Sequence, residues 1–148
     1  MAGYRGYISS RKFFGERAPQ HVQNIIIRDY CKRNDMQFLL SSTEYAMEDC
    51  FIMLENLIND SSEIDGIVCY SLFQLPQVQT IRQQAFENIF DRGRSIHFAV
   101  EALSAERLCE VERLEDIFLV KQSIGKTLSC EELNQVLWPD YESDKTPR

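Results

Sequence analysis

Four short runs of mainly apolar residues, at 4–9, 37–41, 66–71 and 95–100, alternate with three stretches whose apolar residues recur every three or four positions. Short, nearly continuous apolar runs mark strands covered on both faces, and therefore a parallel sheet. Helical spacing sets Val22, Ile25, Ile26 and Tyr30 on one stripe, with Pro19 suited to the opening helical position. A second stripe holds Met47, Cys50, Phe51, Leu54 and Ile58. A third holds Val78, Ile81, Ala85 and Ile89, and Gly93 supplies a stop signal after it. The runs end near residues 10, 41, 71 and 101, a repeat of about thirty residues and the length of one βα unit. Strict alternation implies right-handed crossovers within one sheet.

Beyond the fourth run the pattern changes. Residues 104–122 read as one long amphipathic helix in which Leu108, Val111 and Phe118 group together, while Leu114 and Ile117 widen the apolar arc to the side. Ser129 and Glu132 form a capping box for a short helix bearing Leu133, Val136 and Leu137, ended by Trp138-Pro139. The expected architecture is an α/β domain over 1–122, with a single four-stranded parallel sheet flanked by helices. A short helical extension over 123–138 and a polar, disordered tail over 139–148 follow. The wide arc on the long helix favours a homodimer through 104–122; the alternative is that the short helix folds back and fills the arc.

Length and composition narrow the classes. At 148 residues the chain makes one domain, able to bury roughly 68–70% of its unfolded surface without staples. No apolar run approaches the ~20 residues of a membrane helix, and the start lacks the apolar stretch of a signal peptide. Five cysteines, an odd number with no CxxC pair, read as reduced thiols. A cytoplasmic protein without a membrane partner is expected. The net charge of −7 has the wrong sign for a general nucleic-acid binder. Residues 1–33 nevertheless carry a local +5, which leaves −12 on the rest and suits a small anionic ligand.

Ligands of open α/β sheets bind outside the carboxyl ends of the strands. Here those ends read Ser9-Ser10-Arg11, Ser41-Ser42-Thr43-Glu44-Tyr45, Ser71 with Phe73 and Gln74, and Glu101. Ser41 and Glu44 also form a capping box, so they either cap the second helix only or join the site. Period-two alternation puts Arg5, Tyr7 and Ser9 on one side of the first strand, and a buried Arg5 calls for a carboxylate partner, Glu44 or Glu101. Ser9, His21, Glu44 and Glu101 are the candidate catalytic groups. Arg5, Ser10, Arg11, Gln20, Ser42, Tyr45, Ser71 and Gln74 are the candidate ligand contacts. His97, inside the fourth run, reads as a hydrogen-bonded core histidine. No HxH, HExxH, GxGxxG or Walker A motif occurs, so neither a metal nor a nucleotide cofactor is expected.

Two families resemble this pattern. The first hundred residues are similar to the catalytic domain of resolvase-type serine recombinases, whose first strand reads tyrosine-x-arginine-x-serine and whose serine attacks DNA phosphate. Here the stretch is Arg5-Gly6-Tyr7-Ile8-Ser9, with Tyr7 in place of the arginine. The aspartate-arginine-leucine-x-arginine motif of that family falls on Phe73-Gln74-Leu75-Pro76-Gln77, where both arginines are glutamines. The resemblance implies a resolvase-like fold with a dimerising long helix, and the lost arginines argue against recombination. A closer resemblance rests on Tyr4-Arg5-Gly6-Tyr7-Ile8-Ser9-Ser10-Arg11, Pro19-Gln20-His21-Val22-Gln23-Asn24, Thr43-Glu44-Tyr45-Ala46-Met47, Tyr70-Ser71-Leu72-Phe73-Gln74-Leu75-Pro76 and His97-Phe98-Ala99-Val100-Glu101. These strings look like the sporadic carbohydrate cluster proteins, a small bacterial family that keeps company with surface-sugar biosynthesis genes. That resemblance implies binding, with or without chemical change, of a sugar phosphate or nucleotide sugar. The alternative is a non-catalytic dimeric adaptor derived from a recombinase-like domain.

Overall fold

The computed structural model of the protein describes residues 2–124. Five strands form one sheet: β1 (Tyr4–Ser9), β2 (Phe38–Glu44), β3 (Gly66–Cys69), β4 (Ser95–Phe98) and β5 (Leu103–Ala105). Their spatial order is β2-β1-β3-β4-β5, with β1 to β4 parallel and β5 antiparallel to β4. Helix α1 (Gln20–Arg33) joins β1 to β2, α2 (Ile52–Ile58) joins β2 to β3, and α3 (Gln79–Asp91) joins β3 to β4. The chain steps outward from β1 to β2, then crosses back past β1 to β3. Right-handed crossovers in opposite directions put α1 on one face and α2 and α3 on the other.

Side-chain alternation builds a core on each face. Ile8 and Val68 pack with Ile27, Tyr30 and Cys31 of α1. Tyr7, Ile67, Cys69, Ile96 and Phe98 pack with Leu54, Leu57 and Ile58 of α2 and with Phe86 and Ile89 of α3. Two glycines have local reasons. Gly6 lies so close to Ser41 that a Cβ there would overlap the serine hydroxyl. Gly93 takes φ 69° just after α3, the left-handed turn that its stop signal anticipated.

The expected sheet of four parallel strands is corrected to five mixed strands. Only Ala99–Ala102 separates β4 from β5, far too short for a parallel crossover, so the chain turns back as a hairpin through Ala102 at φ 53°. That pairing consumes Ser104 and shortens the long helix, which is α4 (Val111–Ile124) rather than 104–122. Leu108 is exposed on a 3₁₀ turn before it. Leu114 and Ile117 do not widen an outer arc either: Leu114 is buried and Ile117 packs against the chain's own core. Arg82 of α3 anchors α4, forming an ion pair with Glu115 at 2.6 Å and lying 3.8 Å over the Phe118 ring.

The capping box read at Ser41 and Glu44 is also corrected. β2 runs through both residues, in register with Gly6 and Ser9 of β1. Helix α2 begins only at Ile52, which leaves Met47 exposed and off the helix. Pro19 precedes the first residue of α1 instead of occupying it. The expected helix at 129–137 and the tail at 139–148 lie outside the described residues. Among the described residues no helix is long and apolar enough to cross a membrane.

Candidate functional site

The chain leaves β1 toward one edge of the sheet and its neighbour β3 toward the other, and such a switch point opens a crevice at the carboxyl ends of the strands. A cleft of about 270 Å³ occupies it. The segment after β1 contributes Arg11, Lys12 and Phe13. The segment before α2 contributes Glu48, Asp49 and Phe51, and the one after β3 contributes Phe73, Gln74, Leu75 and Gln77.

The first wall is held by a tight turn. Phe13 and Glu16 exchange both backbone hydrogen bonds at 2.9 Å, and Phe14 and Gly15 between them take φ 50° and 76°. A phenylalanine is uncommon at positive φ. Here ring contacts hold it, at 5.6 Å to Phe73 and 5.5 Å to Phe118. Arg11 ties the walls together. It donates to the Cys50 carbonyl, to the Gln74 carbonyl at 3.4 Å and to the Tyr7 hydroxyl at 3.5 Å, and its guanidinium lies 4.2 Å over Phe51. Lys12 is exposed, and its ammonium has no partner among the described residues.

Behind the cleft three of the candidate catalytic groups, Ser9, Glu44 and Glu101, are built into the scaffold. Ser9 is 1% exposed, and its hydroxyl has no hydrogen-bond partner among the described residues. Its backbone is held at both poles by Gln23, whose Oε1 accepts from Ser9 N at 3.2 Å and whose Nε2 donates to Ser9 O at 2.6 Å. Gln74 completes the set by donating to Gln23 Oε1 at 2.8 Å. Glu44 accepts from the Tyr7 hydroxyl at 3.0 Å, from Met53 N and Leu54 N at the start of α2 at 3.1 Å, and from its neighbour Tyr45 N. Glu44 therefore does cap α2, from a strand rather than from the helix's own start. Burial first, then the Glu44 carboxylate, push the Tyr7 phenol well above its ordinary range. Glu101 accepts from Ser71 Oγ at 2.6 Å and Leu72 N at 3.1 Å, while Ser71 and Gln74 cap the 3₁₀ turn Leu72–Gln74 reciprocally.

The remaining expected residues disperse. Arg5 shares its side of β1 with Tyr7, but its partner is neither Glu44 nor Glu101. It pairs with Asp60 beyond α2 at 3.3 Å, with Ser42 Oγ at 3.0 Å and with the Leu40 carbonyl at 2.9 Å. His21 and Gln20 are exposed on the first turn of α1, Tyr45 is exposed, and Ser10 is half-buried; none of them lines the cleft. His97 lies on the α1 face between the Tyr30 hydroxyl at 3.1 Å and Ser95 Oγ at 3.0 Å, and burial pulls its imidazole down to about 4. Sequence reasoning passed over Lys12, Glu48, Asp49 and Gln77 as site residues. The one available signal was the basic run Arg11-Lys12 directly after a strand end. Among the described residues no three His, Cys, Asp or Glu converge to hold a metal ion. A second groove of about 240 Å³ between α2 and α3 is lined mainly by apolar residues, with Glu55 its one acidic group.

No family model matches the chain, and no curated protein sequence matches it. Solved structures do match. A resolvase family site-specific recombinase from Streptococcus pneumoniae aligns over 93% of this chain and 99% of its own, with a TM-score of 0.58 and 8% identity. The N-terminal catalytic domain of TP901-1 integrase aligns over the same shares, with a TM-score of 0.57 and 15% identity. The fold is resolvase-like, as that resemblance implied, though with five mixed strands. Identity this low carries the fold alone, and the comparisons give the carbohydrate-cluster resemblance no support.

Proposed function

We propose that this chain is a resolvase-like binding module of bacterial surface-carbohydrate assembly, holding a small sugar phosphate in the cleft between the ends of β1 and β3. The observation that carries the reading is the polar cleft itself, which sits at the switch point where α/β sheets take their ligands and is lined by Lys12, whose ammonium has no partner among the described residues. Its volume is below the roughly 300–1,000 Å³ of common ligand pockets, which favours a sugar phosphate over the larger nucleotide sugar. Lys12 takes the phosphate, and the Gln77 amide faces sugar hydroxyls. Arg11 holds the walls.

Binding, rather than catalysis, is the better reading. The Ser9 hydroxyl is sealed from solvent, and among the described residues no base has it within hydrogen-bond reach. Glu44 and Glu101, the other acid/base candidates, accept backbone N–H groups that hold α2 and the turn after β3.

Calorimetric and thermal-shift titration with hexose phosphates tests this reading. A ligand at 100 times its Kd adds about 2.7 kcal/mol to the folded state. Stabilisation of the wild type that is lost in Lys12→Glu is expected. No response to any hexose phosphate, or an undiminished response in Lys12→Glu, puts the site elsewhere.

A further inference from the structure

The charges lining the cleft select within that class. Arg11 and Lys12 on one wall are matched by Glu48 and Asp49 on another, so the lining is formally neutral. The two signs do not neutralise each other directly, since neither Lys12 nor either carboxylate has an ion-pair partner among the described residues. A ligand carrying only a phosphate dianion would meet the two carboxylates in the same small space, and their repulsion offsets much of what Lys12 contributes. A ligand with separated charges meets each wall with its opposite sign. Buried amide donors add a fixed point. Gln74 is 1% exposed and lines the cleft; its Nε2 donates one hydrogen to Gln23, and the second has no partner among the described residues.

Resting on the sugar-phosphate reading above, we propose that the cleft takes a zwitterionic amino-sugar phosphate. Its phosphate lies on Lys12, its ammonium lies between Glu48 and Asp49, and a ring or hydroxyl oxygen accepts from Gln74. Discrimination comes as much from the two carboxylates rejecting an uncompensated anion as from their attraction for the ammonium.

The test is calorimetric titration of the full chain with three probes: glucosamine 6-phosphate, N-acetylglucosamine 6-phosphate, whose nitrogen is a neutral amide, and glucose 6-phosphate. Binding of glucosamine 6-phosphate at least tenfold tighter than the other two is expected. In the Glu48→Gln Asp49→Asn variant the three affinities should converge. Both positions are exposed and outside helices and strands, and an unchanged melting temperature will confirm that the variant folds. Equal affinities in the wild type overturn the zwitterion proposal and leave the sugar-phosphate reading standing. A preference that survives in the double variant overturns the assignment to Glu48 and Asp49. Failure of all three probes to bind overturns both readings.

Discussion

The side-chain amide of Gln74 donates to that of Gln23 at 2.8 Å, and through Gln23 it fixes the backbone of Ser9 at the end of β1. The fully buried Gln23 binds both poles of Ser9 as a neighbouring strand would, and its second Nε2 hydrogen reaches the Ala18 carbonyl at 2.8 Å. In the resolvase-type motif the position of Gln74 belongs to an arginine. A neutral amide there joins the hydrogen-bond lattice around Ser9 through one of its two hydrogens.

Gln23→Ala should therefore be severely destabilising through lost hydrogen bonds alone. Four polar groups lose their partner: Ser9 N, Ser9 O, Ala18 O and Gln74 Nε2. With about 1–3 kcal/mol for each buried group left unsatisfied, and some of them rehydrated, a loss of roughly 3 kcal/mol or more is expected. Urea unfolding followed by circular dichroism measures it. A loss under ~1 kcal/mol would show that the lattice does not hold the end of β1.

His97 gives the stability a pH dependence whose sign is fixed by burial. Its imidazole is pulled from 6.5 to about 4, because the folded protein desolvates the charged ring. The unfolded chain takes the proton readily and the folded chain does not, so this contribution is complete above about pH 6.5 and is lost as pH falls toward 4. The displacement is worth at most about 3 kcal/mol, and less for a half-buried ring that keeps some water. Stability profiles between pH 4 and 7 for the wild type and His97→Gln check it. The variant should show a shallower slope in that window, whatever its absolute stability.

Much of the fold is legible because strand alternation and helical spacing are local properties, and all four parallel strands lie where those patterns put them. Strand β5 is not legible. Leu103-Ser104-Ala105 is three residues long, and only its pairing with β4 distinguishes it from a helix start. The Ser41/Glu44 capping box is half misread for the same reason: pairing with β1 holds both residues in β2, where Ser41 donates to Asn24 and only Glu44 reaches the start of α2. The strand ends do bring Ser9, Ser71, Gln74 and Glu101 near one another, though of these four only Gln74 lines the cleft. What the sequence hides is that Ser71, Gln74 and Glu101 bind one another across separations such as Ser71 to Glu101, and that Lys12, Glu48 and Asp49 line the cleft from segments with no periodicity to reveal them.

DNA cleavage is not expected. Tyr7 and Gln74 stand where the resolvase-type motifs carry arginines and are tied to Glu44 and Gln23, while Gln77, in the second motif arginine's place, is also uncharged. No cation of that motif remains to neutralise charge developing on a phosphate. Incubation with supercoiled plasmid followed by denaturing electrophoresis should show neither nicking nor a covalent protein–DNA adduct. An adduct abolished by Ser9→Ala would reverse the reading.

Self-association through α4 is proposed on different residues from those the sequence pattern favours. Leu114 is 2% exposed and Ile117 packs on the core, whereas Leu119 and Val120 stand 62% and 59% exposed. The inner side of α4 is fixed by the Arg82–Glu115 ion pair and by the fully buried Phe118, so changes on the outer side leave its docking intact. The two pairs of substitutions should therefore separate cleanly. Leu114→Glu with Ile117→Glu buries charge in the core and should unfold the chain, by several kcal/mol. Leu119→Glu with Val120→Glu should keep the native circular dichroism spectrum and melting temperature while converting a dimer to a monomer. Light scattering at tens of micromolar reads the mass of each. A monomeric wild type removes the α4 dimer, and a dimer that survives Leu119→Glu with Val120→Glu moves the interface to another face.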